Sequence, residues 1–148
     1  MPDPARSTSP NGPRCPMALP LPHEPQERVL LALVRRMAIH GLHDSSAAML
    51  ALHHFGGDFR RPLTLLRCFM HELASCSNRN IRLAPCCAPR MTLDEALILD
   101  SVMLGELASM EALTEADDPH RPFTIAQTLR GEFEQLGRRF ARASARRD

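Results

Sequence analysis

The sequence predicts an all-α protein, a compact bundle of about five helices preceded by a disordered, proline-rich N-terminal tail. Three observations carry the prediction. Apolar residues recur at three- and four-residue steps in every segment after residue 25, which is the helical period. No run of alternating residues is long enough to build a sheet of any size. Eight of the 13 prolines crowd into Met1–Pro25, where neither period is present. A chain so rich in proline cannot form helix, and Met1–Pro25 is therefore expected to be an extended, mobile tail. Residues 26–148 remain as a single helical domain, large enough to bury roughly two-thirds of its unfolded surface without staples.

The first helix is expected over Gln26–His40. Leu30, Leu33, Val34 and Met37 form its apolar stripe, and Gly41 can end it because glycine accepts a left-handed conformation. Asp44 is placed to cap a second helix, Ser45–Phe55, with Ala48, Leu52 and Phe55 aligned and Gly56-Gly57 as the stop. Pro62 suits the first turn of a third, Pro62–Ser77, where its missing amide would have had no partner. Leu66, Phe69, Met70 and Leu73 are its buried face. Asn78–Arg90 (NRNIRLAPCCAPR) breaks the period; Ile81 and Leu83 alternate with Arg82 and allow a very short strand. Thr92 and Glu95 then form a capping box, opening a fourth helix over Leu93–Leu113. Thr124 and Gln127 repeat the box before the last helix, Ile125–Ala143, whose seam is Ala126, Leu129, Phe133, Leu136 and Phe140.

Composition narrows the class. With 148 residues, 44% hydrophobic, 24% charged and a net charge of +1, the chain is of ordinary globular make-up and no polyelectrolyte. All 18 basic residues are arginine, so each positive charge is a planar fork suited to carboxylate or phosphate. The longest apolar runs, Val29–Val34 and Ala47–Leu52, are far too short to span a membrane. No secretory signal is visible, and five clustered cysteines (Cys15, Cys68, Cys76, Cys86, Cys87) are an odd number. Reduced thiols in a cytoplasm are the expectation. Charge is segregated: Arg60–Arg90 carries six arginines against Glu72, Thr92–Asp118 carries eight acids and no base, and Arg121–Asp148 is basic again. An acidic helix lying between two basic neighbours would account for this, and so would a surface that steers a partner.

The densest chemistry is Cys68, His71, Cys76, Cys86 and Cys87. Thiolate and imidazole are the ligands zinc prefers. Cys68 and Cys76 are about 12 Å apart along a helix, by its 1.5 Å rise. The workable metal set is therefore Cys76 with Cys86 and Cys87, joined by His71 or Glu72. No paired C-x2-C knuckle is present, and free cysteine is often simply buried as a small hydrophobe. A redox-responsive thiol pair is the third possibility. His40, His43, His53 and His54 cluster as well, three of them at helix C-termini where an imidazolium complements the dipole. Asp100 falls among Leu93, Leu97, Leu104 and Leu107. A carboxylate there needs a partner such as Arg67 or Arg61, or else acts as a shifted acid or ligand. The second and third helices could form a helix-turn-helix with Arg60, Arg61 and Arg67 near its recognition end. A turn of about six residues and a near-neutral charge make nucleic acid an unfavoured partner.

The stretch Arg61–Leu99 (RPLTLLRCFMHELASCSNRNIRLAPCCAPRMTLDEALIL), centred on APCCAPRMT, resembles an uncharacterised family of small helical proteins, a domain of unknown function from GC-rich alphaproteobacteria. The resemblance implies a bacterial cytoplasmic protein and carries no activity or functional residue across. No catalytic motif of recognised spacing accompanies it. The expectation is a non-enzymatic protein-interaction or regulatory module, binding a protein partner or a second copy through its amphipathic last helix, without cofactor and away from membranes. The alternative is a thiol-based protein that binds zinc or responds to redox.

Overall fold

A computed structural model describes residues 19–147; the expected tail lies outside the described residues as far as position 18. The described chain is all-α. Six α-helices run in the order α1 (Pro25–His40), α2 (Ser45–Phe55), α3 (Arg60–Cys76), α4 (Leu93–Leu99), α5 (Leu107–Thr114) and α6 (His120–Arg147). Two dipeptides, β1 (Leu19–Pro20) and β2 (Arg90–Met91), pair antiparallel with Leu19 opposite Met91. The pairing corrects two expectations. The ordered domain starts before Pro25, with Pro22 buried, and the strand-like residues are Arg90–Met91 rather than Ile81–Leu83.

Helix ends follow local chemistry. Glu24 accepts the Glu27 amide at 3.0 Å at the start of α1, where Pro25 sits in the first turn. Asp44 accepts the Ala47 amide at 2.9 Å and opens α2 as expected. His40 closes α1, and His53 and His54 close α2, so the histidines occupy the dipole-complementing ends predicted for them. Between α2 and α3 stands one 3-10 turn, Gly56–Asp58, which shortens the expected turn to four residues and starts α3 at Arg60.

The expected fourth helix is two helices. Leu93–Leu99 widens into a π turn, Asp100–Leu104, and stops at Gly105, which is left-handed with φ 66°. Ser101 donates its hydroxyl back to the Leu97 carbonyl at 2.7 Å, competing with the helical ladder there. A Cβ on Gly105 would stand 2.5 Å from Arg130 Nη1, so α6 crosses at this break. Thr92–Glu95 is a true capping box. At α6, by contrast, the start moves to His120, whose amide is held by Asp118 at 3.1 Å, and Thr124 lies inside the helix.

One apolar core joins all six helices: Leu30, Leu33 and Val34 of α1, Ala47 and Ala51 of α2, Leu66 and Phe69 of α3, Ile98 of α4, Met110 and Leu113 of α5, and Leu129 and Phe133 of α6 are all essentially inaccessible. α3 lies along α6. The buried face of α2 is Ala47, Ala51 and Phe55, one position round from the expected Ala48 and Leu52. α6 leaves the core after Leu136; Phe140 is 52% exposed, and every residue from Arg138 to Arg147 faces solvent.

Gly131 sits in the interior of α6 with open space where a Cβ would be. Gly131→Ala is expected to raise stability by about 0.5–1 kcal/mol, by restricting the unfolded chain. Gly56→Ala, at φ 72°, should lower it. Urea titration of both variants checks the pair of signs.

Candidate functional site

The most constrained chemistry lies where α1 meets the irregular segment between α3 and α4. Arg35 and Glu95 are 3% and 0% exposed and form a two-pronged ion pair, Nε to Oε2 at 2.7 Å and Nη2 to Oε1 at 3.0 Å. Oε1 also accepts the Thr92 amide at 2.8 Å and Oε2 the Ala84 amide at 3.1 Å, which fills the carboxylate. Arg35 spends further donors on the Ala88 carbonyl (3.2 Å) and the Arg90 carbonyl (2.7 Å). A buried pair tolerates desolvation only when its remaining hydrogen-bonding capacity is used in this way.

Asp94 does the same for the other half of the segment. It accepts Arg79 Nη1 at 2.9 Å and the Arg82 amide at 2.7 Å, while Arg79 reaches on to the Leu113 carbonyl. Asn78 binds the Thr114 and Glu115 carbonyls, and Thr92 donates to the Arg82 carbonyl. Residues 78–91 are thus tied at nearly every second position, although no regular element covers most of them.

The expected ligand residues are divided between α3 and the segment that follows it. Cys86 and Cys87 are adjacent and exposed in the pinned segment, His71 is exposed on α3, and Cys76 is half-buried at the end of α3. Cys68 is exposed, so the thiols are mostly not core residues either; Cys15 lies outside the described residues. Among the described residues no three His, Cys, Asp or Glu side chains converge as a metal site would require. Burial, and then Glu72, push the Cys76 thiol up.

Asp100 does not pair with either expected arginine. Arg61 bonds Glu132 on α6 at 2.5 Å, and Arg67 donates to the Leu42 carbonyl. Asp100 instead borders a cleft of about 410 Å³ with Glu24, Glu27, Pro22 and Leu99. Burial, followed by Glu106, raises its pKa; burial, followed by Glu24 and Asp100, raises that of Glu27. The segregated charge is only partly neutralised inside the fold. Of the eight acids in Thr92–Asp118, Asp94 and Glu95 have arginine partners among the described residues, while Glu111, Glu115 and Asp117 stand exposed. The possible recognition helix lies packed along α6, with Glu132 against Arg61 and Asp58 against Arg139 at its start.

Sequence reasoning found Glu95 as a cap and missed its ion pair. Arg35 carried a signal: it lies four residues after the buried Leu31, in phase with the apolar face of α1. Arg35→Met strands the Glu95 charge and is expected to cost about 3–5 kcal/mol, with fast amide exchange through residues 78–91. Adding Glu95→Leu should recover only part of this, because the Ala84 and Thr92 amides remain without acceptors. Denaturant titration and hydrogen exchange measure both.

Glu27 and Asp100 bind protons more tightly in the folded chain than at their ordinary values of 4.5 and 3.8. Their stabilising contribution is therefore complete below those values and is lost as pH rises through the folded ones. Asp100→Asn should flatten that loss and lower the Glu27 titration midpoint, read by carboxyl NMR.

No curated protein and no solved structure matches the chain. Residues 12–147 match a family of unknown function, DUF6628. That span takes in every helix and the pinned segment, and the chain belongs to this family.

Proposed function

We propose that the chain is a non-catalytic, cytoplasmic protein-interaction module whose docking element is the C-terminal end of α6. The observation that carries the reading is the run Arg138–Arg147, three helical turns beyond the last buried residue of α6. It holds five arginines and no acid, and among them Arg139 alone is ion-paired within the described chain, to Asp58 at 2.9 Å. Phe140 stands half-exposed in its midst, touching the His54 ring at 6.1 Å between centroids. A basic helix with one aromatic anchor fits a partner protein with an acidic rim around an apolar pocket. The arginines steer the encounter, and the phenylalanine supplies the desolvated contact. No helix among the described residues is long and apolar enough to cross a membrane.

The exposed acids Glu111, Glu115 and Asp117 support a second reading, in which the partner is another copy of the chain. They lie in the stretch of chain that leads into the N-terminal end of α6, opposite its basic end, so the basic end of one copy has a complement on the next.

The test is native purification of the full chain beside Phe140→Ala and Arg142→Glu/Arg146→Glu variants. The wild-type chain should elute with a partner or as a dimer, released by raised salt, and both variants should elute as free monomers. Variants that retain the same associated species overturn the reading. Salt-dependent binding of a mixed-sequence DNA duplex, lost in the Arg→Glu variant, would replace it with nucleic-acid binding.

A further inference from the structure

Cys86 and Cys87 occupy a position that none of the foregoing uses. The Ala88 amide donates to the Pro85 carbonyl at 3.1 Å, which makes Pro85–Ala88 a β-turn with the two cysteines at its corners. Both thiols are free and exposed. They line a cleft of about 360 Å³ with Leu21, Leu31, Ala32 and Pro89. The turn is clamped on either side: the Ala84 amide is held by Glu95 and the Ala88 carbonyl by Arg35. Two adjacent cysteines, both reachable from solvent, are thus carried on backbone fixed by a buried ion pair.

We infer that the Cys86–Cys87 turn is a site of reversible oxidation by hydroperoxides, ending in a disulfide between the two adjacent cysteines. One sulfur attacks the hydroperoxide, breaking its O–O bond; the cysteine becomes a sulfenic acid and the peroxide leaves as an alcohol, or as water from hydrogen peroxide. The neighbouring sulfur then attacks the sulfenic sulfur, and the expelled hydroxide takes the second thiol's proton and leaves as water. Two thiols and one hydroperoxide yield one disulfide, one alcohol and one water. A sulfenic acid with a resolving thiol beside it is captured before it can reach irreversible oxides.

The geometry also fixes the character of the product. Adjacent Cα atoms are about 3.8 Å apart, below the roughly 4.4–6.8 Å of relaxed disulfides. The eight-membered ring is therefore strained, and a strained, exposed disulfide is readily reduced. Closing it twists the Cys86–Cys87 peptide, and the carbonyl that holds Arg35 belongs to Ala88, the residue that follows the pair. Oxidation should therefore loosen the clamp, making the dithiol a switch rather than a staple. The inference stands independently of the interaction reading, since α6 has no part in it.

The test uses the full chain carrying Cys15→Ser, Cys68→Ser and Cys76→Ser, so that only the pair remains. Treated with hydrogen peroxide, it should lose two hydrogens by intact mass, stay monomeric, and return to the starting mass with dithiothreitol. A sulfenic-acid trap should label the Cys86→Ser and Cys87→Ser derivatives of this chain and leave the pair unlabelled. The oxidised chain should melt several degrees below the reduced one, while the single-cysteine derivatives show no such peroxide-dependent fall. Accumulation of sulfinic acid or of chain-to-chain disulfides in place of the ring overturns the inference. So does oxidation of the pair no faster than that of Cys68 in a chain where Cys68 is the sole cysteine. Ring closure with an unchanged melting temperature refutes its coupling to Arg35.

Discussion

The fold depends on one carboxylate. Glu95 closes the start of α4, neutralises Arg35 of α1, and accepts the backbone at Ala84, four connections to three separate stretches of chain. None of these partners could be buried without it. An arginine inside an apolar core is costly unless its charge and donors are matched, and the Ala84 and Thr92 amides would otherwise be stranded. The network therefore acts as a registration device. It admits one path for residues 78–91 across the end of α1, whereas apolar packing alone would accept several. Asp94, the preceding residue, points its carboxylate at Arg79 and Arg82 and fixes the upstream half of the same path. Two consecutive acids at a helix start thus organise an irregular segment that has almost no ladder hydrogen bonds of its own.

What the sequence made legible was set by local chemistry. The stripe Leu30, Leu33, Val34 and Met37, the Asp44 cap and the Thr92–Glu95 box each depend on residues within one turn of one another, and each stands as read. The errors arise where tertiary contact decided. Gly105 was visible inside the expected fourth helix. A lone glycine there is usually tolerated, however, and it became a stop because Arg130 of α6 lies against it. The face of α2 is turned by one residue because small side chains, Ala47 and Ala51, let that helix approach the core closely; Leu52 is too large for the position and turns outward. The start of α6 moved to His120 because Asp118 caps it, a cue overshadowed by the threonine pair downstream.

The candidate chemistry was legible in a different measure. The sequence singled out the cysteines as the unusual feature, but spacing could not say which of them share a surface. Cys76 belongs to a helix end and Cys86–Cys87 to the clamped turn, and what separates them is the course of residues 78–91. That course follows from Arg35, more than 50 positions away from the turn it holds. Long-range pairs of this kind leave only a weak trace in a single sequence, a charge falling in phase with an apolar face.

Segregated charge takes its meaning from the same division between buried and exposed polar groups. The acids that stabilise the fold, Asp94 and Glu95, lie at the inner start of α4, and their arginines are Arg79 and Arg35. Neither arginine comes from the basic C-terminal segment. The basic end of α6 and the outer acids of α5 are therefore largely left over after the fold has satisfied its own needs. α6 explains why they stay apart: a helix of 28 residues is about 42 Å long at 1.5 Å per residue. It holds Asp117–Asp118 at one end and Arg142–Arg147 at the other, well beyond the roughly 8 Å over which exposed charges feel each other in physiological salt. Charges that cannot neutralise one another within the chain stay solvated, and the helix between them fixes the distance that separates the two signs.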